Sequence, residues 1–217
     1  MFFALSILST EFIISRSRLN PSAQTALVVM PEPRASDDPE SALIKRVADG
    51  DREAFRDLYA LYHKRLFAYL TKLLSARETV EEVLQDVMFE VWRQAGRFRG
   101  EAKVATWIFG IAHHKALNVR RAQGNRVMVQ LEEANATQTD AVGPQALAEK
   151  SDLGKKVRAA LAWLSEDHRA VVELTFYHGF SYAEIAHIVN CPVNTVKTRM
   201  FHARRQLREL LSKMGLS

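Results

Sequence analysis

The chain has 217 residues, a formal net charge of +5 and a pI near 9.4. This length allows one large or two small domains with a sizeable core, and the basic balance suits an anionic partner such as nucleic acid. One cysteine excludes an internal disulfide framework or a cysteine-based metal cluster, and no phosphate-cradling glycine loop or hydrolase motif occurs, so we expect neither catalysis nor a cofactor or metal.

The first 40 residues differ in composition from the rest of the chain. Positions 1–14 are largely apolar, but they lack a basic start, are interrupted by Glu11 and are too short to span a bilayer. Four prolines with serines and charges follow in residues 20–40, which is typical of disorder. We interpret residues 1–40 as a disordered leader, with Met30 as an alternative start, and expect a cytoplasmic protein without stable membrane insertion.

From Ser41 onward the apolar residues recur with the period of α-helices. They predict a helix of roughly 24 residues opened by Asp51, a second beginning near Arg77, and a third over Thr106–Arg121. No alternating run or Asn-Gly hairpin occurs, so residues 41–123 are predicted to form an all-α domain. The apolar positions are Phe55, Leu58, Tyr59, Tyr62, Leu66, Leu70 and Leu73; Val80, Val83, Leu84, Val87 and Val91; and Trp107, Ile108, Ile111, Ala112, Leu117 and Val119.

The second of these helices carries an acidic stripe, which consists of Glu78, Glu82, Asp86 and Glu90. Residues four apart lie along one helix face, where like charges cost helix stability. A cationic partner surface would explain the stripe. An ordinary solvated face is the alternative.

The sign of the charge reverses directly after the acidic stripe. Residues 93–126 hold eight Lys or Arg against the single acid Glu101. Cations interleaved with aromatic rings are typical of binding to single-stranded nucleic acid. Core packing is the better interpretation of Trp107, whereas Phe98 and His114 are the better candidates for exposure. The rings in this stretch belong to Phe98, Trp107, Phe109, His113 and His114.

Residues 124–152 lose the helical period and contain Gly143-Pro144, which indicates a flexible linker. A helical stripe resumes over residues 153–164, Ser165 is predicted to cap the next helix, and Gly179 is predicted to end it. Residues 153–213 are therefore predicted to form a second, four-helix domain. Its first apolar stripe comprises Leu153, Val157, Ala160, Leu161 and Leu164.

Residues 181–208 predict a helix-turn-helix. Ser181 and Glu184 form a capping box, Pro192 breaks the first helix, and a second helix begins near Asn194. The turn residue Cys191 is interpreted as a small buried apolar residue. The buried stripe of the second helix is predicted to be Val196, Met200, Ala203, Leu207 and Leu210.

The opposite face of the second helix is basic. Five Lys or Arg and no acid lie between Asn194 and Arg208, which favours placement in a DNA major groove. Phe201 lies on this face, where contact with a thymine methyl group would explain it. A solvated basic face with one stray aromatic residue is the alternative.

Taken together, these segments resemble bacterial sigma factors of the small extracytoplasmic-function type. Glu81–Gly100 resembles the segment that docks on the RNA polymerase clamp, Ala105–Arg121 resembles the segment that recognises and melts the −10 promoter element, and Leu164–Leu207 resembles the domain that recognises the −35 element. The resemblance covers residues 41–213 in order. It departs from the common pattern at Ser165, where proline is frequent, at His114, where some members have Asn, and at His202, where Arg is common.

The resemblance implies a region 2-like domain over residues 41–123 and a region 4-like domain over residues 153–213. It implies a non-enzymatic promoter-specificity subunit that binds core RNA polymerase at its clamp and flap, duplex and melted promoter DNA, and an anti-sigma factor. The implied polymerase contacts are Glu78, Glu82, Gln85, Asp86 and Glu90. The implied −10 contacts are Phe98, Arg99, Lys103, His113, His114, Lys115, Asn118, Arg120 and Arg121. The implied −35 contacts are Asn194, Thr195, Lys197, Thr198, Arg199, Phe201, His202, Arg204 and Arg205.

Two other classes of function compete with this interpretation. A stand-alone helix-turn-helix regulator would use the first domain for ligand binding or dimerisation, but it leaves the acidic stripe unexplained. A helical enzyme would need convergent catalytic groups. His113 and His114 are the only suggestive pair, and adjacent helix positions point about 100° apart.

Overall fold

The computed structural model describes residues 38–130 and 152–215. All regular structure in these two ranges is helical, which confirms the predicted fold class for them. The predicted leader up to residue 37 and the predicted linker from residue 131 to 151 lie outside the described residues. None of the described helices is long and apolar enough to cross a membrane. The helices are α1 (Pro39–Ala48), α2 (Arg52–Leu73), α3 (Arg77–Gln94), α4 (Val104–Gln130), α5 (Asp152–Ala162), α6 (Glu166–Phe176), α7 (Tyr182–Ile188) and α8 (Val193–Lys213), with a 3₁₀ turn at Ala95–Arg97.

Helices α2, α3 and α4 pack against one another through the apolar stripes that the sequence predicts. Asp51 caps α2 by accepting hydrogen bonds from the backbone N–H groups of Glu53 and Ala54, at 2.9 and 3.1 Å. Helix α1 begins at Pro39, inside the predicted leader, and the side chain of Asp38 caps its N-terminus. Buried residues at helical spacing join α1, α2, α3 and α4 into one core; they include Ile44, Leu58, Leu66, Leu70, Val83, Val87, Ile108 and Ala112.

Helix α4 is longer than its sequence pattern predicts. It was expected to end at Arg121, and the linker was expected to begin at residue 124, but the helix continues to Gln130. This expectation was wrong because loss of an apolar stripe does not break a helix. The glycine in this stretch, Gly124, costs only about 1 kcal/mol in a helix interior, and no proline lies between residues 121 and 130 to stop the helix.

The helix-turn-helix of the second domain forms as predicted. The capping box is present, with Ser181 accepting from the N–H of Glu184 and the Glu184 carboxylate accepting from the N–H of Ser181 at 2.8 Å. The turn is completed by Asn190 in the left-handed region at φ 50°. Ser165 caps α6 as expected, accepting from the N–H of His168.

Two details of this domain differ from the expected burial. The last buried position of α8 is Leu211, whereas Leu210 is only partly covered. Cys191 was expected to be buried, but it is half-buried, because it lies in the turn rather than on an apolar helix face.

The two domains pack directly against each other through an aromatic seam, which we define as Tyr69 and Phe109 of the first domain with His178 and Phe180 of the second. The ring of Phe109 lies 4.9 Å from each of His178 and Phe180, between ring centroids. Tyr69 meets His178 edge-on at 5.5 Å. Burial lowers the pKa of His178 to about 4, so this imidazole is neutral near pH 7. The seam therefore joins the domains by contacts between uncharged rings.

Candidate nucleic-acid interface

The exposed face of α8 is held away from the core by its own buried stripe. Val196, Met200 and Ala203 point into the second domain, so the residues between them face outward. Among the predicted −35 contacts, Asn194, Lys197, Thr198, Phe201 and Arg205 are exposed, whereas Thr195, Arg199, His202 and Arg204 are half-buried.

Phe201 is the unusual member of this face, because 63% of an aromatic side chain is exposed on an otherwise polar surface. Its ring lies edge-on to His202, with centroids 5.5 Å apart. Two cations of this face have carboxylate partners: the Arg199 guanidinium is 2.5 Å from Asp167 on α6, and the Arg205 guanidinium is 3.9 Å from Glu209 on α8 itself. Among the predicted contacts, Lys197 and Arg205 are thus exposed cations, and Asn194, Thr198 and Phe201 are exposed uncharged residues.

The other candidate surface is concave and lies on the first domain, at the start of α4. It is a cavity of about 750 Å³, which we call the aromatic cavity. The rings of Phe98 and Trp107 contact each other at its wall, with centroids 5.2 Å apart and planes tilted by 46°. Cationic and polar side chains surround these rings, as stacking and phosphate contact with a single strand require. The lining residues are Glu90, Gln94, Arg97, Phe98, Arg99, Glu101, Ala102, Thr106, Trp107, Gly110, Ile111, His114, Lys115, Asn118 and His187.

The floor of the aromatic cavity holds a polar group without a protein partner. Thr106 is buried, and its Oγ1 makes no hydrogen bond within the described residues. Buried polar groups are normally hydrogen-bonded, so this unpaired hydroxyl is an exception within the described residues. Thr106 was not among the predicted contacts, and Trp107, interpreted as a core residue, is half-buried: it packs against the core and also lines the cavity. The signal for Trp107 was present, because it shares a helix face with Ile111, His114 and Asn118 at three- and four-residue spacing.

His113 lies in the core, which corrects its predicted role as a DNA contact. Only 4% of the residue is exposed, and its Nδ1 lies 2.8 Å from the hydroxyl oxygen of Tyr69. Burial lowers the pKa of His113 to about 4. Its position follows from helix geometry, since Phe109, Ala112 and Ala116 share its buried face. His113 therefore positions α4 on α2, while its neighbour His114 is exposed at the cavity rim.

The remaining predicted −10 residues surround the cavity or continue along α4. Arg99 is exposed, with its guanidinium 3.8 Å from the Glu101 carboxylate. Lys115 is half-buried and lies 3.6 Å from Asp86 on α3. Lys103 and Arg120 reach across to the second domain, where they pair with Glu184 at 3.0 Å and with Glu166. Asn118 and Arg121 are exposed.

The acidic stripe on α3 is shorter than predicted. Glu78, Glu82, Gln85 and Asp86 are exposed on α3. Glu90 is not part of that surface: its side chain is 15% exposed, and its carboxylate accepts from Arg93 at 2.6 Å and from Gln94. The hydrogen bond from Arg93 holds the pKa of Glu90 below its usual range. Glu90 faces the aromatic cavity instead, because α3 and α4 pack against each other there.

An aromatic residue that sequence analysis missed extends this acidic surface. Phe89 is 64% exposed and lies three residues after Asp86, on the solvent side of α3. Its signal in the sequence was a large apolar residue outside the valine stripe. An exposed phenylalanine beside carboxylates is suited to a protein partner that presents both apolar and basic groups.

Comparison with known proteins places both domains in one family. Residues 58–126 match the family model described as Sigma-70 region 2, and residues 154–207 match the model described as Sigma-70, region 4. The chain is 31% identical over 183 residues to the ECF RNA polymerase sigma-E factor of Haemophilus influenzae, covering 81% of this chain and 96% of that protein. It is 32% identical over 183 residues to the ECF RNA polymerase sigma factor SigK of Mycobacterium tuberculosis, covering 82% and 96%.

Solved structures agree with this assignment. RpoE of Bartonella quintana, in a complex with the anti-sigma factor NepR, superimposes with a TM-score of 0.62 at 28% identity, covering 73% of this chain and 96% of that one. CnrH, in a complex with the cytosolic domain of CnrY, superimposes with a TM-score of 0.61 at 23% identity, covering 81% and 99%. The second likeness shows the fold alone.

Proposed function

The chain belongs to the extracytoplasmic-function (ECF) family of RNA polymerase sigma factors, and from this premise we propose how its surfaces divide the work of initiating transcription. The protein is a promoter-specificity subunit that binds core RNA polymerase, recognises −35 and −10 promoter elements and promotes strand opening. Within it, helices α1 to α4, which extend beyond the predicted residues 41–123 at both ends, form the region 2-like domain, and residues 153–213 form the region 4-like domain. It acts in the cytoplasm and performs no bond chemistry of its own.

The aromatic cavity is the site at which the opened −10 strand is captured. One observation carries this proposal: the rings of Phe98 and Trp107, with centroids 5.2 Å apart, line a cavity together with cationic and polar side chains. Rings would hold bases by stacking, worth roughly 1–3 kcal/mol per base, which offsets part of the cost of melting. Arg99, His114 and Asn118 at the rim would contact the phosphates and the edges of the captured bases.

Helix α8 contacts the −35 duplex. Asn194, Thr198 and Phe201 would meet base edges in the major groove, while Lys197 and Arg205 would hold phosphates on either side. Arg199 has a different task in this arrangement. Its ion pair with Asp167 braces α8 against the start of α6, so it orients the helix before DNA arrives.

The exposed part of the acidic stripe docks on core polymerase. Glu78, Glu82, Gln85 and Asp86 present three carboxylates and an amide along one side of α3, with Phe89 beside them. Carboxylates on an exposed helix face steer and orient a basic partner surface, and an aromatic anchor supplies apolar contact area. Polymerase clamp and flap are the partners, and an anti-sigma factor that covers these surfaces is the regulatory partner. Anti-sigma factors bind relatives of this fold, since RpoE of Bartonella quintana is solved in a complex with the anti-sigma factor NepR.

The test is reconstitution of transcription with purified core RNA polymerase. A template library of genomic fragments identifies promoters that the wild-type chain activates. The proposal expects specific run-off transcripts and co-elution of the chain with core enzyme. Absence of co-elution would contradict it, and co-elution without promoter-specific transcripts would remove the DNA-contact assignments while leaving the docking surface.

A further inference from the structure

The turn between α5 and α6 lies along one flank of α8, the helix proposed to contact the −35 duplex; we call residues 163–168 the α5–α6 corner. Positions 199, 202 and 206 of α8 are spaced by three and four residues, so they share one helix face. Each of them meets a residue of the corner, which fixes how α8 is rotated against α6. The pairs are Arg199 with Asp167 (2.5 Å between guanidinium and carboxylate), His202 with His168 (6.2 Å between ring centroids), and Gln206 with Trp163 (3.2 Å from the amide nitrogen to the backbone oxygen).

The middle pair contains a histidine that the sequence analysis did not single out. His168 lies in the first turn of α6, and its backbone N–H donates to Oγ of the capping Ser165 at 3.4 Å. Burial, with a smaller effect of the neighbouring His202, lowers the pKa of the His168 imidazole, so this ring is neutral near pH 7. Its Nδ1 is buried and makes no hydrogen bond within the described residues. The place of the His168 ring therefore follows from the helix cap and from contact with neighbouring side chains, and not from a hydrogen bond of Nδ1.

The His202 ring connects this fixed corner to the exposed face of α8. It meets the Phe201 ring edge-on, with centroids 5.5 Å apart and planes at 76°. His202 is half-buried, whereas 63% of Phe201 is exposed. A half-buried ring with a neighbour on another helix has fewer rotamers open to it, and side chains that are placed before binding lose less entropy when a partner binds. Three rings thus lead from the start of α6 to the surface that is proposed to meet DNA.

From these contacts we propose that His168 is a positioning residue for recognition of the −35 element, acting through His202 on Phe201. This proposal rests on the proposed contact of α8 with the −35 duplex. In this role His168 touches no base: it holds the His202 ring on the flank of α8, and the His202 ring supports the edge of Phe201. Contacts between aromatic rings change an equilibrium constant by about twofold to tenfold, so loss of His168 lowers discrimination between base pairs by a factor in this range.

The test uses holoenzyme reconstituted from the full chain and core RNA polymerase, with a duplex promoter fragment recovered in the run-off assay. Each base pair of its −35 element is replaced in turn, and competition binding gives the ratio of affinities for the original and the replaced duplex. His168→Ala should lower this ratio at one or two adjacent base pairs by about twofold to tenfold, and His202→Ala should lower it at the same pairs. Affinity for a duplex without the promoter should stay unaltered in His168→Ala, because no phosphate contact is removed.

A double variant and a matched control separate positioning from general support of α8. When His168→Ala is added to His202→Ala, no further loss of discrimination should follow, because the first side chain acts only through the second. Gln206→Ala removes another contact between the same corner and the same flank, but one without a ring, and should leave every ratio unaltered. Additive losses in the double variant, or equal losses in Gln206→Ala and His168→Ala, would overturn the proposal.

The remaining outcomes separate this proposal from the one on which it depends. His168→Phe keeps a planar ring and should retain the wild-type ratios, and His168→Leu, which fills the space without an aromatic ring, replaces His168→Ala if circular dichroism shows that the alanine variant is unfolded. Wild-type ratios in the variant without a ring would refute the role of His168 and leave α8 as the −35 contact. If the wild-type holoenzyme distinguishes no base pair of the −35 element, the proposed role of α8 fails and the positioning role fails with it.

Discussion

The hydroxyl oxygen of Tyr69 on α2 lies 2.8 Å from Nδ1 of His113 on α4, and both side chains are buried. The bond spans 44 residues of sequence and fixes the helix that carries the aromatic cavity. Because burial lowers the pKa of His113 to about 4, the imidazole is neutral near pH 7. A neutral imidazole exchanges one hydrogen bond with the phenol, with the direction set by its tautomer.

Tyr69→Phe should therefore destabilise the first domain without altering any exposed surface. Removal of the hydroxyl leaves a buried ring nitrogen unpaired, which costs about 1–3 kcal/mol of the free energy of unfolding. Urea unfolding followed by circular dichroism measures this cost. Tyr59→Phe on the same helix is the control, because Tyr59 is half-buried and lies away from α4 near His63. Equal stability of the two variants would show that the bond contributes nothing.

Glu173 should make stability depend on pH. It is only 3% exposed, and burial raises the pKa of its carboxyl to about 7, against the opposing effects of Lys72 and Arg169. The Glu173 carboxyl keeps its proton to a higher pH in the folded chain than in the unfolded chain. The folded state therefore loses stability as pH rises from 4.5 to about 7. Glu173→Gln should remove this loss, so its advantage over the wild-type chain grows from near zero at pH 5 to about 1–3 kcal/mol at pH 8.

The difference between the two proteins isolates the effect of Glu173. Because the pKa values of His113 and His178 are lowered, these two residues make the folded state less stable as pH falls, which is the opposite direction. Both residues are present in the wild-type chain and in Glu173→Gln, so their effect cancels in the difference. Urea midpoints at pH 5, 6, 7 and 8 provide the measurement. A constant difference for Glu173→Gln would contradict the prediction.

The helices could be predicted from the sequence because each apolar stripe and each helix cap depends only on residues that are close together in the chain. Asp51, Ser165 and the Ser181–Glu184 box satisfy N–H groups within their own first turns, so no tertiary information was needed. The same holds for the buried stripe of α8 up to Leu207. Such features specify which face of a helix is buried.

Helix stripes and caps do not specify which other part of the chain covers the buried face of a helix. Glu90 has the spacing of an exposed stripe, yet the approach of α4 places it in a cavity with Arg93. The sequence pattern places Lys103 and Arg120 at solvent-facing positions, yet each forms an ion pair with a glutamate of the other domain. These positions depend on contacts between residues far apart in sequence, which a single-helix period does not encode. His113 is different, because its spacing from Phe109 and Ala116 already indicated burial.

Reversal of charge on the acidic stripe should weaken docking on polymerase. Glu82 is exposed in the middle of α3, so Glu82→Lys places a cation where a basic partner surface is expected, while the fold tolerates the change. Affinity for core RNA polymerase should fall by about tenfold or more. Asp57→Lys makes the same charge change at an exposed position of α2 and should leave affinity unaltered. Biolayer interferometry with immobilised core enzyme compares them, and matching affinities would remove the stripe from the interface.

Trp107 should act as a stacking platform. Trp107→Ala removes half of the aromatic pair in the cavity, and loss of one stacked base costs about 1–3 kcal/mol, or roughly tenfold to a hundredfold in affinity for a single strand. Trp163→Ala is the control, because Trp163 is exposed at the end of the second domain's first helix. Fluorescence anisotropy of a labelled strand gives both affinities once circular dichroism has shown that each variant is folded. Unchanged binding by Trp107→Ala would mean that the cavity is not where bases stack.

Duplex recognition and strand capture should fail at different steps when their residues are changed separately. Lys197 is exposed on α8, and His114 is exposed at the rim of the aromatic cavity in the other domain. Lys197→Ala should weaken binding to duplex promoter and lower the slope of log affinity against log salt by about one unit, as expected for loss of one phosphate contact. Transcription from a template already melted at −10 should be much less affected.

His114→Ala should produce the reverse pattern, because His114 is proposed to contact the −10 strand only after the strands separate. Closed-complex binding should stay near the wild-type level, while open-complex formation slows on duplex templates and strand retention weakens on bubble templates. Permanganate footprinting of melted thymines on both templates resolves the two steps. Since the two residues lie on different domains, failure of both variants at the same step would mean that the domains do not divide recognition and opening between them.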